Sequence, residues 1–262
     1  MPFPPTQRVL YRRKPLQQVI CQIRFPTILR IDTDLPADFQ DRLRNDFPDF
    51  TLASEVKFGF PAGEQVPPEA LGQFLQAGMG RNYSFATRDG SWTVNLTRTF
   101  VALSTTAYER WEGFRERFGL PLRALLDVYQ PSFFTRIGLR YVDVIKRSAI
   151  GVADVPWRDL LSPTITGMLG SQVTAEEVES FESVHEIRLP DGNGRTRVIA
   201  KLGRDADTAE TTFVIDSDFF DTSRTDTEHA IEKLDSLHSG AFDLIRWVIT
   251  ERLHEAMEPQ PL

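Results

Sequence analysis

The sequence predicts an α+β fold: an antiparallel sheet built from two pseudo-repeated halves, each a strand, a short helix, a meander and a long helix, with the helices packed on one face. Three observations predict it. The stretch 133–145, Phe-Phe-Thr-Arg-Ile-Gly-Leu-Arg-Tyr-Val-Asp-Val-Ile, has the β-branched and aromatic content of a strand and no proline. Two hairpin signals, Arg88-Asp89-Gly90 and Asp191-Gly192-Asn193-Gly194, each join stretches of β-forming residues. Two long segments, 107–129 and 226–257, repeat apolar residues at helical spacing.

Taken in order, residues 1–15 are proline-rich and basic and read as an extended lead-in along the surface. The remainder, 16–262, reads as one domain with halves near 16–130 and 131–258. A first strand spans 16–25, with Val19, Cys21, Ile23 and Phe25 on one face and Gln18, Ile20, Gln22 and Arg24 on the other; Pro26 ends it. A short helix opens after Asp34 with Phe39, Leu43 and Phe47 as its apolar stripe, and Pro48 stops it. Residues 51–60 are strand-like, and 61–80 are loop-rich with a turn of helix near 69–76. The strands 82–87, 91–97 and 100–105 form a meander. The helix 107–129 follows, with Gly119-Leu120-Pro121 set to break or kink it.

The second half begins at the strand 133–145. Thr135, Ile137, Leu139, Tyr141, Asp143 and Ile145 alternate with Phe134, Arg136, Gly138, Arg140, Val142 and Val144. Each face mixes charge with bulk, which suits a central strand with one packed face and one polar, half-open face. A short helix near 155–161, strands at 179–189, 195–202 and 211–218, and one final helix over 226–257 complete the repeat.

Composition narrows the function. A net charge of −7 argues against non-specific coating of nucleic acid, which relies on surplus Lys and Arg. The single cysteine, Cys21, permits no internal disulfide and reads as a small buried hydrophobe. Met1-Pro-Phe-Pro-Pro lacks the build of a signal peptide, and no apolar run reaches the ~20 residues of a membrane span, so a cytoplasmic protein without membrane contact is expected. The four histidines form no His-x-x-x-His pair, and neither Gly78-Met79-Gly80 nor Gly167-Met168-Leu169-Gly170 has the strand–loop–helix context of a phosphate loop. No metal or cofactor is expected. Asp235 and His238, one helical turn apart, form a candidate carboxylate–imidazole pair, although His238 also falls within the apolar stripe.

The candidate ligand-binding residues are Arg24, Arg136, Arg140, Tyr141 and Asp143. Guanidinium forks on a sheet face suit carboxylate or phosphate oxygens. The plainer alternative pairs these arginines with Asp143, Asp127, Glu182 or Glu186.

Lys14-Pro-Leu-Gln-Gln-Val-Ile-Cys-Gln-Ile-Arg-Phe, Arg136-Ile-Gly-Leu-Arg-Tyr-Val-Asp-Val-Ile, and Leu237-His with the Val248-Ile-Thr-Glu-Arg-Leu helix together resemble a sporadically distributed bacterial family of this length without an assigned activity. The resemblance spans the whole chain. The family pattern has Glu where this chain carries Gln17 and Gln22, which puts any chemistry needing those acids in doubt. Its patchy distribution implies mobile elements and a role in conflict or defence, by association alone.

The first functional reading is therefore a non-enzymatic protein that binds a protein partner through its sheet or helix face. The second is a domain for a phosphate or nucleotide ligand, or a phosphoester-processing enzyme, using the arginine cluster. Nucleic-acid binding ranks last on charge, and no residue pattern signals an oligomeric state.

Overall fold

The computed structural model describes residues 1–53, 81–172, 178–190 and 194–262. In chain order these carry β1 (Val9–Tyr11), β2 (Leu16–Arg24), α1 (Arg30–Thr33), α2 (Ala37–Leu43), β3 (Asp49–Ala53), β4 (Asn82–Ala86), β5 (Trp92–Thr97), β6 (Phe100–Thr105) and α3 (Trp111–Tyr129). There follow β7 (Arg136–Ile145), α4 (Arg147–Ile150), α5 (Trp157–Leu160), α6 (Pro163–Thr166), β8 (Glu182–Arg188), β9 (Gly194–Arg204), β10 (Thr211–Asp221), α7 (Ala230–Val248), α8 (Glu251–Ala256) and β11 (Pro259–Pro261). The expected strand residues 54–60, the turn of helix at 69–76, Gly78-Met79-Gly80 and turn residues 191–193 lie outside the described residues. The protein mixes helix and strand around extensive antiparallel sheet, as the sequence predicts. Its contacts group into two units: one of Met1–Gln17, Arg140–Phe219 and Ser236–Leu262, the other of Gln18–Leu139 and Phe220–Asp235.

In the second of these units the strands lie in the order β3-β4-β5-β6-β2-β7. The register sorts side chains by polarity. Phe50 opposes Phe85, Phe85 opposes Val94, Val94 opposes Leu103, and Leu103 opposes Cys21. One residue along, Thr51, Ser84, Asn95, Ala102 and Gln22 form the neighbouring row on the other face. Aromatic contacts from this apolar row and its neighbours reach α2 and α3. Phe39 of α2 sits 5.6 Å from Phe85, and Phe114 of α3 sits 5.7 Å from Trp92. The polar face keeps Asn82, Asn95 and Gln22 buried, with the Asn95 amide donating to Asn82 Oδ1 at 3.1 Å.

The Asp89-Gly90 turn forms where the sequence places it. Gly90 adopts φ +69°, a left-handed conformation that glycine enters without a Cβ clash, and the Asp89 carboxylate accepts from Ser91 N–H at 3.1 Å. The α3 helix runs unbroken through Gly119-Leu120-Pro121, so the expected helix break is absent.

The other unit carries the strand order β7-β10-β9-β8. Its N-terminal segment pairs with the C-terminal residues. Val9, Leu10 and Tyr11 pair with Pro261, Gln260 and Pro259. Phe3 is 4% exposed between Phe219 and Trp247, and Thr6 donates through its N–H and hydroxyl to Asp243 Oδ1. The C-terminal helix also differs: it divides into α7 and α8. Thr250 caps α8 by accepting from Leu253 N–H, while its own N–H donates to the Leu160 carbonyl and its hydroxyl to the Asp159 carbonyl. Those bonds draw residues 249–250 out of helical conformation although the apolar stripe continues through them.

Phe3→Ala is expected to lower unfolding stability by about 3 kcal/mol, the usual cost of a buried Phe truncation. Urea denaturation checks this. A loss within ~0.5 kcal/mol, typical of a surface site, would show that the packing of Phe3 contributes little.

Candidate functional site

The five sequence-predicted residues fall into two environments. In the unit holding β3–β6, Arg24 follows Gln22 on the same face of β2, as strand periodicity requires. Arg24 Nε donates to Gln22 Oε1 at 3.0 Å, and Arg136 Nη1 from β7 reaches the same oxygen at 3.4 Å. Both arginines are half-buried. The Arg136 guanidinium also lies 4.8 Å from the Phe220 ring centre, and it crosses Gly138 so closely that a Cβ there would collide with it. Gly138 thus has a local reason: it leaves room for the arginine to lie flat on its own strand.

Arg140, Tyr141 and Asp143 belong to the other unit, and all three are buried rather than half-open. Arg140 forms a bidentate pair with Asp216 of β10, Nε to Oδ1 at 2.7 Å and Nη2 to Oδ2 at 2.5 Å. Burial works against the guanidinium charge, and Asp216 beside it outweighs that, so the charged form is held more firmly than in water. None of the acids named from the sequence fills this place; Asp127 pairs with Arg42 and Glu186 with Arg195.

Tyr141 Oη lies 2.7 Å from His238 Nδ1. Burial, then the charge of Arg8, pushes His238 down to about 3, so it is neutral at pH 7. Asp235 forms other bonds, accepting from Trp111 Nε1 at 2.7 Å and pairing with Arg115 at 3.4 Å. Asp143 is pushed up to about 7, first by burial and then by the charge of Asp216. A second tyrosine–histidine contact joins Tyr11 Oη and His254 Nδ1 at 2.7 Å, and burial pushes Tyr11 up to about 12. Cys21 is buried, which pushes its thiol well up and leaves it a poor nucleophile.

The surface feature that the sequence reading missed is a groove of about 860 Å³ between α3 and the β4–β5 turn. Trp92 and Phe114 line it, and the Arg117 guanidinium covers Trp92 at 4.7 Å from the ring centre. Arg110, Arg123, Glu109 and Glu116 also line it, all exposed and without ion pairs among the described residues. Glu116 and Arg123 lie seven residues apart on α3, and Glu109 and Arg110 just before it. Among the described residues, no group of three or more His, Cys, Asp or Glu is placed to hold a metal ion, and no helix is long and apolar enough to cross a membrane. Neither a protein-family model, nor a curated protein, nor a solved structure matches the chain.

Removing Arg140 strands a nearly buried carboxylate, so Arg140→Ala should cost about 3 kcal/mol in urea denaturation, and a loss below ~1 kcal/mol would show that the pair is dispensable. The two shifted groups predict opposing pH dependence. In the unfolded chain Asp143 loses its proton near 3.8, whereas in the fold it keeps it to about 7; stability therefore falls as pH rises between these values. His238 gains a proton near 6.5 when unfolded but stays neutral in the fold down to about 3, so its contribution falls as pH drops. Between pH 5 and 6 the slopes cancel. Relative to the parent protein, Asp143→Asn should shift the slope of stability upward by about 1.4 kcal/mol per pH unit and His238→Gln downward by about the same. Unchanged slopes in both variants, followed by thermal melts across that range, would sink the two assignments.

Proposed function

We propose that this is a non-enzymatic binding protein of the cytoplasm that holds a protein partner in the groove beside α3. The observation that carries the reading is the lining: exposed Arg110 and Arg123 and exposed Glu109 and Glu116 stand uncommitted beside Trp92 and Phe114. The half-buried Trp92 ring among charges of both signs suits a polypeptide segment, which offers apolar and charged side chains together. The groove also falls within the usual ~300–1,000 Å³ of ligand sites. By contrast, the titratable groups at Arg140, Tyr141, Asp143 and His238 are buried, and the contacts of Arg140 with Asp216 and Tyr141 with His238 favour a structural role for them.

The order of elements supports a duplicated design behind this binding surface. A strand, a short helix, three strands and α3 precede β7, and a similar succession of short helices, β8, β9, β10 and α7 follows it. The reading takes the long helices as the cover of one sheet face in each half.

Panning a random peptide display library against the immobilised full chain tests the function. Peptides that bind in solution and lose affinity at least tenfold toward Arg110→Glu/Arg123→Glu are expected, since reversing two charges turns attraction into repulsion. Equal affinity for the variant, or no enrichment, would overturn the groove as the binding site.

A further inference from the structure

We propose that the outer edge of β8 is a pairing surface for a second copy of this chain, an interface distinct from the groove and not required by the partner reading. β8 ends the strand order β7-β10-β9-β8, and among the described residues no segment pairs with its far side. Its bonds to β9 fix which groups face outward. Leu189 N–H donates to the Gly194 carbonyl and Leu202 N–H to the Phe181 carbonyl, each at 2.9 Å, so the odd-numbered residues of β8 bond inward. Alternate residues of an antiparallel strand turn their N–H and carbonyl groups the other way, which directs those of Glu182, Val184, Glu186 and Arg188 outward. The side chains of all four are exposed, Val184 by 50%. The strand holds no proline, and its register with β9 advances without a bulge, so two common devices that blunt an edge are missing.

The charges along the edge select the occupant. When two copies of β8 run antiparallel about a two-fold axis at His185, Glu182 faces Arg188 at both ends and Val184 faces Glu186. Every outward N–H then meets an outward carbonyl. A slip of one residue breaks that match, because outward groups meet inward ones. A slip of two sets Glu182 against Glu186 in one direction and Glu186 against its own copy in the other, and like charges directly opposite repel. Among registers that keep most of the strand paired, only the one centred on His185 is both hydrogen-bonded and free of facing carboxylates. Within one chain Arg188 stands opposite Arg195, a like-charged pair, while Glu186 is already paired with Arg195 at 3.2 Å. The second copy's Glu182 brings a carboxylate to the other side of Arg188, and its Val184 asks no new charge of Glu186. A single pair of strands buries less than the ~1,200 Å² of a standard interface, so the dimer should be weak, with a dissociation constant of about 10 μM.

Sedimentation equilibrium of the full chain from about 1 to 200 μM tests the proposal, and a monomer–dimer equilibrium is expected. Arg188→Glu sets acids against each other at both ends and should weaken the dimer at least tenfold. Glu182→Arg/Arg188→Glu swaps the charges and should restore it to within about threefold. His185→Cys places a thiol on the axis, where opposed residues of a non-hydrogen-bonded pair lie close, and mild oxidation should yield a disulfide-linked dimer. Val184→Cys, which faces Glu186 of the second copy, should cross-link at least tenfold more slowly. Cys21 is buried and does not compete. All the substituted residues are exposed, and circular dichroism checks each fold. A monomer throughout the range, a dimer indifferent to Arg188→Glu, no recovery in the charge swap, or equal cross-linking of the two cysteine variants would overturn the proposal. The first of these outcomes would leave the edge to a strand of another protein. None of them bears on whether the groove binds a peptide.

Discussion

Successive side chains of a strand point to opposite faces, and this period of two is the constraint on which the second unit rests. A register that sets Asn95 opposite Ala102 and Ala102 opposite Gln22 also sets Val94 opposite Leu103 and Leu103 opposite Cys21. A slip of one residue at any of these pairings would carry the phenylalanines of β3 and β4 to the polar side. The aromatic contacts of α2 and α3 therefore do more than bury area. By fixing which face is apolar, they fix where Gln22 and Arg24 stand.

Charge is handled differently in the two units. Arg140 and Asp216 are largely withdrawn from water and satisfy each other through two bonds, an arrangement that is costly to break but contributes modestly when intact. Asp143 and His238 are withdrawn too, and both stay neutral near pH 6, the acid by keeping its proton and the imidazole by refusing one. At β2, two guanidiniums meet a neutral amide instead. One unit thus buries an ion pair and two neutral titratable groups, while on the other an amide oxygen joins two arginines.

Much of this fold was legible because local signals agreed with one another. The Asp89-Gly90 turn, the alternation along β2 and β7, and the stripe Phe39–Leu43 each describe contacts that form close to their own segment. What escaped depends on partners distant in the chain. Asp216 has nothing in its neighbourhood to say that Arg140 lies opposite; only the placement of β10 beside β7 reveals it. Gln22 drew no attention as a site residue because an amide carries no charge, yet its oxygen organises two candidates that did. At the C-terminus, Val248, Ile249 and Leu253 continued the helical stripe and outweighed the capping signal of Thr250. Pro259 and Pro261 stand in β11, where an edge position tolerates them.

The bond from Thr6 to Asp243 spans 237 residues, and the β1–β11 pairing spans a similar distance. Contacts of such separation close late, because the chain must first lose the entropy of a very large loop. During synthesis the segment Gln18–Leu139 is complete long before Pro259 exists, whereas the N-terminal residues wait for the last strand to be made. For that interval Phe3 has no Trp247 to pack against, and its segment is among the last to reach its native place.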